Sequence, residues 1–254
     1  WDLSGKELIV LSGHEDTVWS ANFSPDGQNI VTASVDRIGR VWDLEGRLLA
    51  KLQQHTDGVN SGSFSFDGKW IVTASNDGTA RVWDINSKLL TELKVSDIPI
   101  EEQRNLYYRG ASASFSPNGE FIVTESYGTT RIWDNSGKLL FELEGGHASF
   151  SPDSTKIIAV SGGTPYIWDI SGKLLLTIQS QNGEHNLGIK KAVFSPDSKH
   201  IATVSDDSLN LWDLRGKPIV KFKENRYFYD DDIEFSPDGK FIITSNWSKN
   251  STLL

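Results

Sequence analysis

The 254-residue chain contains no cysteine and no methionine. Without cysteine there are no disulfides, no thiolate zinc sites and no cysteine nucleophile. A reducing, cytoplasmic setting is the compartment this favours. No run of eighteen apolar residues occurs, so no membrane-spanning helix is predicted, and no charged-then-apolar leader opens the chain. Cations are the minority charge. Lys and Arg total 25 against 34 Asp and Glu, for a net charge of −9. A surface for phosphates needs clustered Lys and Arg, so nucleic acid and anionic membranes are excluded as main partners. No G-x-G-x-x-G, P-loop, HExxH or nucleophile elbow is present. Neither a cofactor nor a metal is expected. The chain begins at Trp1 rather than Met, so an upstream segment is expected in a longer product.

What the sequence does have is repetition. Nine Trp residues are many for this length, and six stand in a Trp-Asp pair: Trp1-Asp2, Trp42-Asp43, Trp83-Asp84, Trp133-Asp134, Trp168-Asp169 and Trp212-Asp213. A second marker keeps phase with the first. It reads FSPDG from Phe23, FSFDG from Phe64, FSPNG from Phe115, FSPDS from Phe150 and Phe194, and FSPDG from Phe235. Two markers recurring together at this period indicate a repeat array. Each unit decodes as four short strands. An alternating stretch such as Val18–Phe23 leads into the SPDG turn, where Pro, Asp and Gly suit successive bends. A β-branched run follows, then a turn, then a strand ending in Trp-Asp. A Gly-Lys turn and an apolar strand complete the unit. Short strands with turn signals this frequent predict an antiparallel all-β array. The sequence has room for one helical turn over Pro99–Leu106.

The recurring GH…FSPDG…TAS-x-D…R-V-W-D resembles the WD-repeat family of β-propellers, in its bacterial wording, over essentially the whole chain. The resemblance implies four-stranded antiparallel blades set radially around a channel. The expected fold is all-β: one domain spanning 1–254, a six-bladed propeller. Strand Lys6–Leu11 is expected to complete the last blade with residues 230–254, because the chain stops where another Trp-Asp falls due. Closure removes the two open sheet edges. The repeats are unequal. The third unit carries nine extra residues around Lys94–Gly110, and the fourth is six residues short, which predicts a shortened inner strand and loop there.

Several polar sets invite a catalytic reading, since Ser, His and Asp together suggest nucleophilic attack. They are His14, Ser34, Asp36 and Trp42; His55, Ser75, Asp77 and Trp83; and His185, Ser205, Asp207 and Trp212. The resemblance implies instead a structural network within each blade, and three copies of one active site in one ring are improbable. The third, fourth and sixth units lack parts of it, so those blades are expected to be less rigid. The Asp of each Trp-Asp is read as a turn cap. Asp230-Asp231-Asp232 is read as a solvated acidic rim rather than a metal site, because neighbouring strand residues point to opposite faces.

The function expected is a non-catalytic scaffold, monomeric as a ring, that binds a protein or peptide on the narrow top face. Candidate contacts are Trp19, Tyr107, Tyr108, Arg109, Tyr127, Lys190, Tyr227 and Asp231. Aromatics with Arg are common interface anchors, and Trp19 and Tyr127 have no evident structural duty. By alignment with the family's usual contact positions, Trp19, Val35, Asn60, Asn76, Tyr127, Lys190, Asp206 and Asp231 are expected around the mouth of the channel. Two other readings remain: a sensor or regulatory portion of a larger protein, and a hydrolase or lyase with its site in the channel.

Overall fold

A computed structural model describes residues 1–2, 4–98, 110–179, 188–205, 208–223 and 233–244. Among these there is no helix, and the strands form antiparallel meanders. The first sheet comprises β1 (Val18–Phe23), β2 (Asn29–Ser34), β3 (Ile38–Asp43) and β4 (Leu48–Gln53). The second is β5 (Val59–Phe64), β6 (Trp70–Ser75), β7 (Thr79–Asp84) and β8 (Leu89–Lys94). The third is β9 (Ser112–Phe115), β10 (Phe121–Ser126), β11 (Thr129–Asp134) and β12 (Leu139–Glu144). The fourth is β13 (Gly146–Phe150), β14 (Lys156–Ser161), β15 (Thr164–Asp169) and β16 (Leu174–Thr177). The fifth is β17 (Ile189–Phe194), β18 (His200–Ser205), β19 (Ser208–Asp213) and β20 (Pro218–Lys223). A two-stranded pair follows, β21 (Ile233–Phe235) with β22 (Ile242–Thr244). Consecutive strands are neighbours in every sheet.

Two turns recur because an Asp, or in one copy an Asn, side chain organises each of them. In the SPDG turn Ser24 Oγ donates to Asp26 Oδ1 at 2.5 Å and accepts the Asn29 N–H. Asp67, Asn118, Asp153, Asp197 and Asp238 take the Asp26 role in their own turns. In the Trp-Asp turn Asp43 Oδ1 accepts the N–H groups of Glu45 and Arg47. Asp2, Asp84, Asp134, Asp169 and Asp213 do the same two and four residues on. The repeated acid is a turn cap, as its residue type suggested.

The chain divides into two compact units, Trp1–Tyr127 with Arg131–Leu140, and Gly128–Thr130 with Phe141–Leu254. In the first unit, Val31, Val41 and Leu52 of the first sheet pack on Phe64, Ile71 and Trp83 of the second. The opposite face of the second sheet, with Val72, Val82 and Leu93, packs on Ala113, Ile122 and Trp133. In the second unit, Ile158 and Ile167 of the fourth sheet pack on Phe194, Ile201 and Trp212 of the fifth. Ile233 then packs on Ala202 and Val204. Strands buried on both faces explain the near-continuous apolar runs such as IVTAS and IIAVS.

The short fourth repeat is absorbed where expected. Gly145 alone separates β12 from β13, and the inner strand β13 is five residues long. The insertion around Lys94–Gly110 and the Pro99–Leu106 turn lie outside the described residues, apart from the flanking residues.

Residues Lys6–Leu11 pair with no strand among the described residues, so ring closure is not seen. Their placement is nonetheless informative. A Cβ at Gly46 would meet Ile9 and Leu11. One at Gly137 would meet Thr91 and Leu93, the corresponding residues of β8. Gly172 faces Phe141 and Gly216 faces Leu176 in the same way. Ile9 and Leu11 therefore sit against the first sheet as an outer strand sits against the sheet that follows it. The adjoining face is bare. Trp1 is 79% exposed while Trp42, Trp83, Trp133, Trp168 and Trp212 are buried, and Phe23 is 65% exposed where Phe64 and Phe194 are buried.

Candidate interaction surface

Two ends of each sheet are distinguished by topology. The SPDG and Trp-Asp turns lie at one end. The turn between the second and third strands, and the start of the innermost strand, lie at the other. Trp19, Tyr127 and Lys190 all belong to that second end.

Trp19 owes its position to a bulge. Val18 pairs with Ser34 and Ser20 with Ala33, which leaves Trp19 as an extra residue. Asn60 and Lys190 are the extra residues at the same register shift in β5 and β17. A bulge bends its strand and re-aims a side chain. Trp19 is 63% exposed. Asn60 Nδ2 donates to Asn76 Oδ1 at 2.7 Å, which fixes that amide across the sheet end. Lys190 is half-buried. Tyr127, also half-buried, occupies the β10–β11 turn with φ of 50°, beside Gly128 at 76°. Tyr107, Tyr108, Arg109, Tyr227, Asp206 and Asp231, with the rest of Asp230–Asp232, fall outside the described residues.

Behind this end lie the polar networks. In the first sheet Trp42 Nε1 donates to Thr32 Oγ1 at 2.8 Å. His14 Nε2 lies 2.7 Å from the same hydroxyl, and its Nδ1 lies 2.9 Å from Asp36 Oδ2. Arg40 Nη1 donates to Asp36 Oδ2 at 2.6 Å and also contacts His14 Nδ1. The second sheet repeats this with Trp83, Thr73, His55, Asp77 and Arg81. The hydroxyl between indole and imidazole is therefore threonine's, two residues before the serine expected there. Ser34 instead donates to the Asp16 carbonyl and accepts the Asp36 N–H, and Ser75 does the same with Asp57 and Asp77. Thr32, Thr73, Arg40 and Arg81 stand outside the expected sets, although Thr stands nine or ten residues before four of the Trp residues and Arg two before three of them.

The carboxylates are held ionised. Burial pushes Asp36 up, but the Glu15 N–H, His14, Arg40 and the Ile38 N–H outweigh it and hold the carboxyl at about 2. Burial of Asp77 is likewise outweighed, by His55, Thr79 and the Thr56 N–H, and its carboxyl lies well below the usual range. Neither serine touches a histidine through these bonds. Thr32 and Thr73 are buried and already hold an indole N–H. The arrangement joins strands rather than presenting a nucleophile, which would need a base and an approach for substrate.

The other sheets keep less. Trp133 donates to Thr124 and Trp212 to Thr203. In the third sheet Arg131 reaches the Val95 carbonyl and Asp97. In the fourth, Ala159 stands at the threonine's place and Trp168 is stacked on Tyr166 at 5.7 Å. In the fifth, Ser205 bonds Ser208, while His185 and Asp207 lie outside the described residues. Among the described residues no three His, Asp or Glu are placed to hold a metal ion, and no helix is long and apolar enough to cross a membrane.

Comparison with curated proteins returns no match. The family described as WD domain, G-beta repeat, matches residues 5–43, 46–84, 111–134 and 172–213, more than half of the chain. The first match begins at residue 5 and ends on Asp43, and every match closes on the Asp of a Trp-Asp pair. With its propeller-like four-stranded sheets and the repeated Trp-Asp turn, the chain belongs to the WD40 repeat family.

Proposed function

We propose that this chain is a non-catalytic scaffold that receives a protein or peptide segment at the end of its sheets carrying Trp19, Tyr127 and Lys190. The observation that carries this reading is the bulge at Trp19. The same bulge bears Asn60 in the second sheet and Lys190 in the fifth, so the repeat presents one variable side chain at one fixed place. A rigid frame with variable positions at one place is how a repeat fold encodes a partner. Large exposed aromatics are the side chains that anchor such contacts.

The reading extends to the frame. It is a single cytoplasmic domain of bacterial type, a closed ring of six blades acting as one copy, in which Lys6–Leu11 serves as outermost strand of the last blade. The seat of Ile9 and Leu11 against Gly46 and the bare Trp1 and Phe23 support that closure.

The test is site-specific photo-cross-linking. A benzoylphenylalanine at position 19 should capture a defined set of proteins in the native host. The same probe at Leu90, an exposed outer-strand residue, should not. Trp19→Ala and Tyr127→Ala should weaken binding of the captured partner at least tenfold while leaving the melting temperature unchanged. Identical capture from positions 19 and 90 would remove this surface from consideration.

A further inference from the structure

The second repeat breaks the SPDG pattern at one residue. Phe66 stands where the other five turns have Pro25, Pro117, Pro152, Pro196 and Pro237. That proline has a packing duty elsewhere. A Cβ at Gly68 would lie 3.9 Å from Pro25, and one at Gly239 would lie 3.6 Å from Pro196. The proline of one turn thus leans on the glycine of the next. At the boundary between the second and third sheets this contact is missing. A Cβ at Gly119 would meet nothing within 4 Å, and Phe66 is 70% exposed.

At this boundary lies a groove of about 200 Å³, lined by Ser65, Phe66, Trp70, Gly119, Glu120 and Asn135 among others. It is too small for a cofactor or drug-sized ligand, whose pockets run from roughly 300 Å³ upward, and suits a single side chain. Trp70 forms its floor, packed on Phe115 with ring centroids 6.4 Å apart. Its charge is one-sided. Asp67 is paired with Lys69 at 2.9 Å, but Glu120 accepts only an amide, from Asn118 Nδ2 at 2.8 Å, and no cation pairs with it among the described residues. Two aromatic rings beside an unmatched carboxylate are complementary to a guanidinium, which stacks on rings and forks onto carboxylates.

We propose that this groove is a second docking site, at the end of the sheets opposite Trp19, and that its occupant is an arginine side chain of a partner protein, seated against Phe66 and Trp70 with Glu120 as counter-ion. It stands apart from the surface proposed above, and either site can fail without the other.

The probe is the nonapeptide acetyl-Gly-Ser-Gly-Ser-Arg-Ser-Gly-Ser-Gly-amide, titrated into the full chain and followed by the Trp70 indole and Gly119 amide resonances. Matched peptides carry citrulline or Glu at the centre. The arginine peptide should bind with a dissociation constant on the order of millimolar, the scale of one anchored side chain. Citrulline, Phe66→Pro and Phe66→Ala should each weaken it at least fivefold, and Glu120→Gln about threefold. Phe66→Pro restores the residue of the other five turns, so it is expected to fold, and Trp19→Ala should change nothing. Equal binding of the citrulline peptide, undiminished binding by Phe66→Pro, or no shift at Trp70 would each overturn the proposal.

Discussion

Trp42 and His14 meet on one hydroxyl. The indole N–H of Trp42 is 2.8 Å from Thr32 Oγ1 and the imidazole Nε2 of His14 is 2.7 Å from it, so a single oxygen ties the third strand, the second strand and the segment before the first. Thr32→Val keeps the shape and removes that oxygen. It leaves a buried indole N–H and a ring nitrogen without a partner, and unsatisfied groups cost about 1–3 kcal/mol each. The variant should lose about 2–4 kcal/mol in urea denaturation. Ser34→Ala removes bonds to the part-buried Asp16 carbonyl and Asp36 N–H, which water can reach, and should lose about 1 kcal/mol. Equal losses would mean that serine shares the load.

The first and second sheets give their buried arginines different cross-strand partners. Arg81 faces Glu92 and bonds it through Nε at 3.0 Å and Nη2 at 2.6 Å. Arg40 faces Lys51, and its buried Nε has no hydrogen-bond partner. Lys51→Glu should supply that partner and replace a like-charge pair. A gain of about 0.5–1 kcal/mol is expected, seen as a higher melting temperature. Glu92→Lys should lower it.

Acid should unfold the chain through the networks. Asp36 titrates at about 2 in the folded state against an ordinary 3.8, and Asp77 is lowered further. A lowered folded value means stability that is fully present above the ordinary value and lost as pH falls through the folded one. Melting temperature should therefore hold steady down to about pH 4 and fall steeply toward pH 2. Asp36→Asn and Asp77→Asn should lower stability at neutral pH and flatten that acid slope.

The repeat was legible because its signals are local. Pro, Asp and Gly in the SPDG turn and the capping Asp after each Trp act within five residues, so residue type alone placed turns and strands, while the place of Trp19 came from the resemblance to the family. Atoms brought together from separate strands were not legible in that way. Thr32 and Ser34 are both hydroxyls near His14 in the sequence. Which one meets the ring depends on strand pleat, since residues two apart share a face and differ only in depth along it. The Pro25–Gly68 contact, and its loss at Phe66, is likewise a contact between different sheets.

The sequence by itself thus determined the kind of unit, its number of strands and its repetition, since these follow from periodicity and turn chemistry. Tertiary structure decided which hydroxyl completes each network, why Arg40 lacks the partner Arg81 has, and which glycines Pro25 and Pro196 lean on. Those outcomes depend on register and on packing between sheets, where side chains more than ten residues apart compete for the same few ångströms.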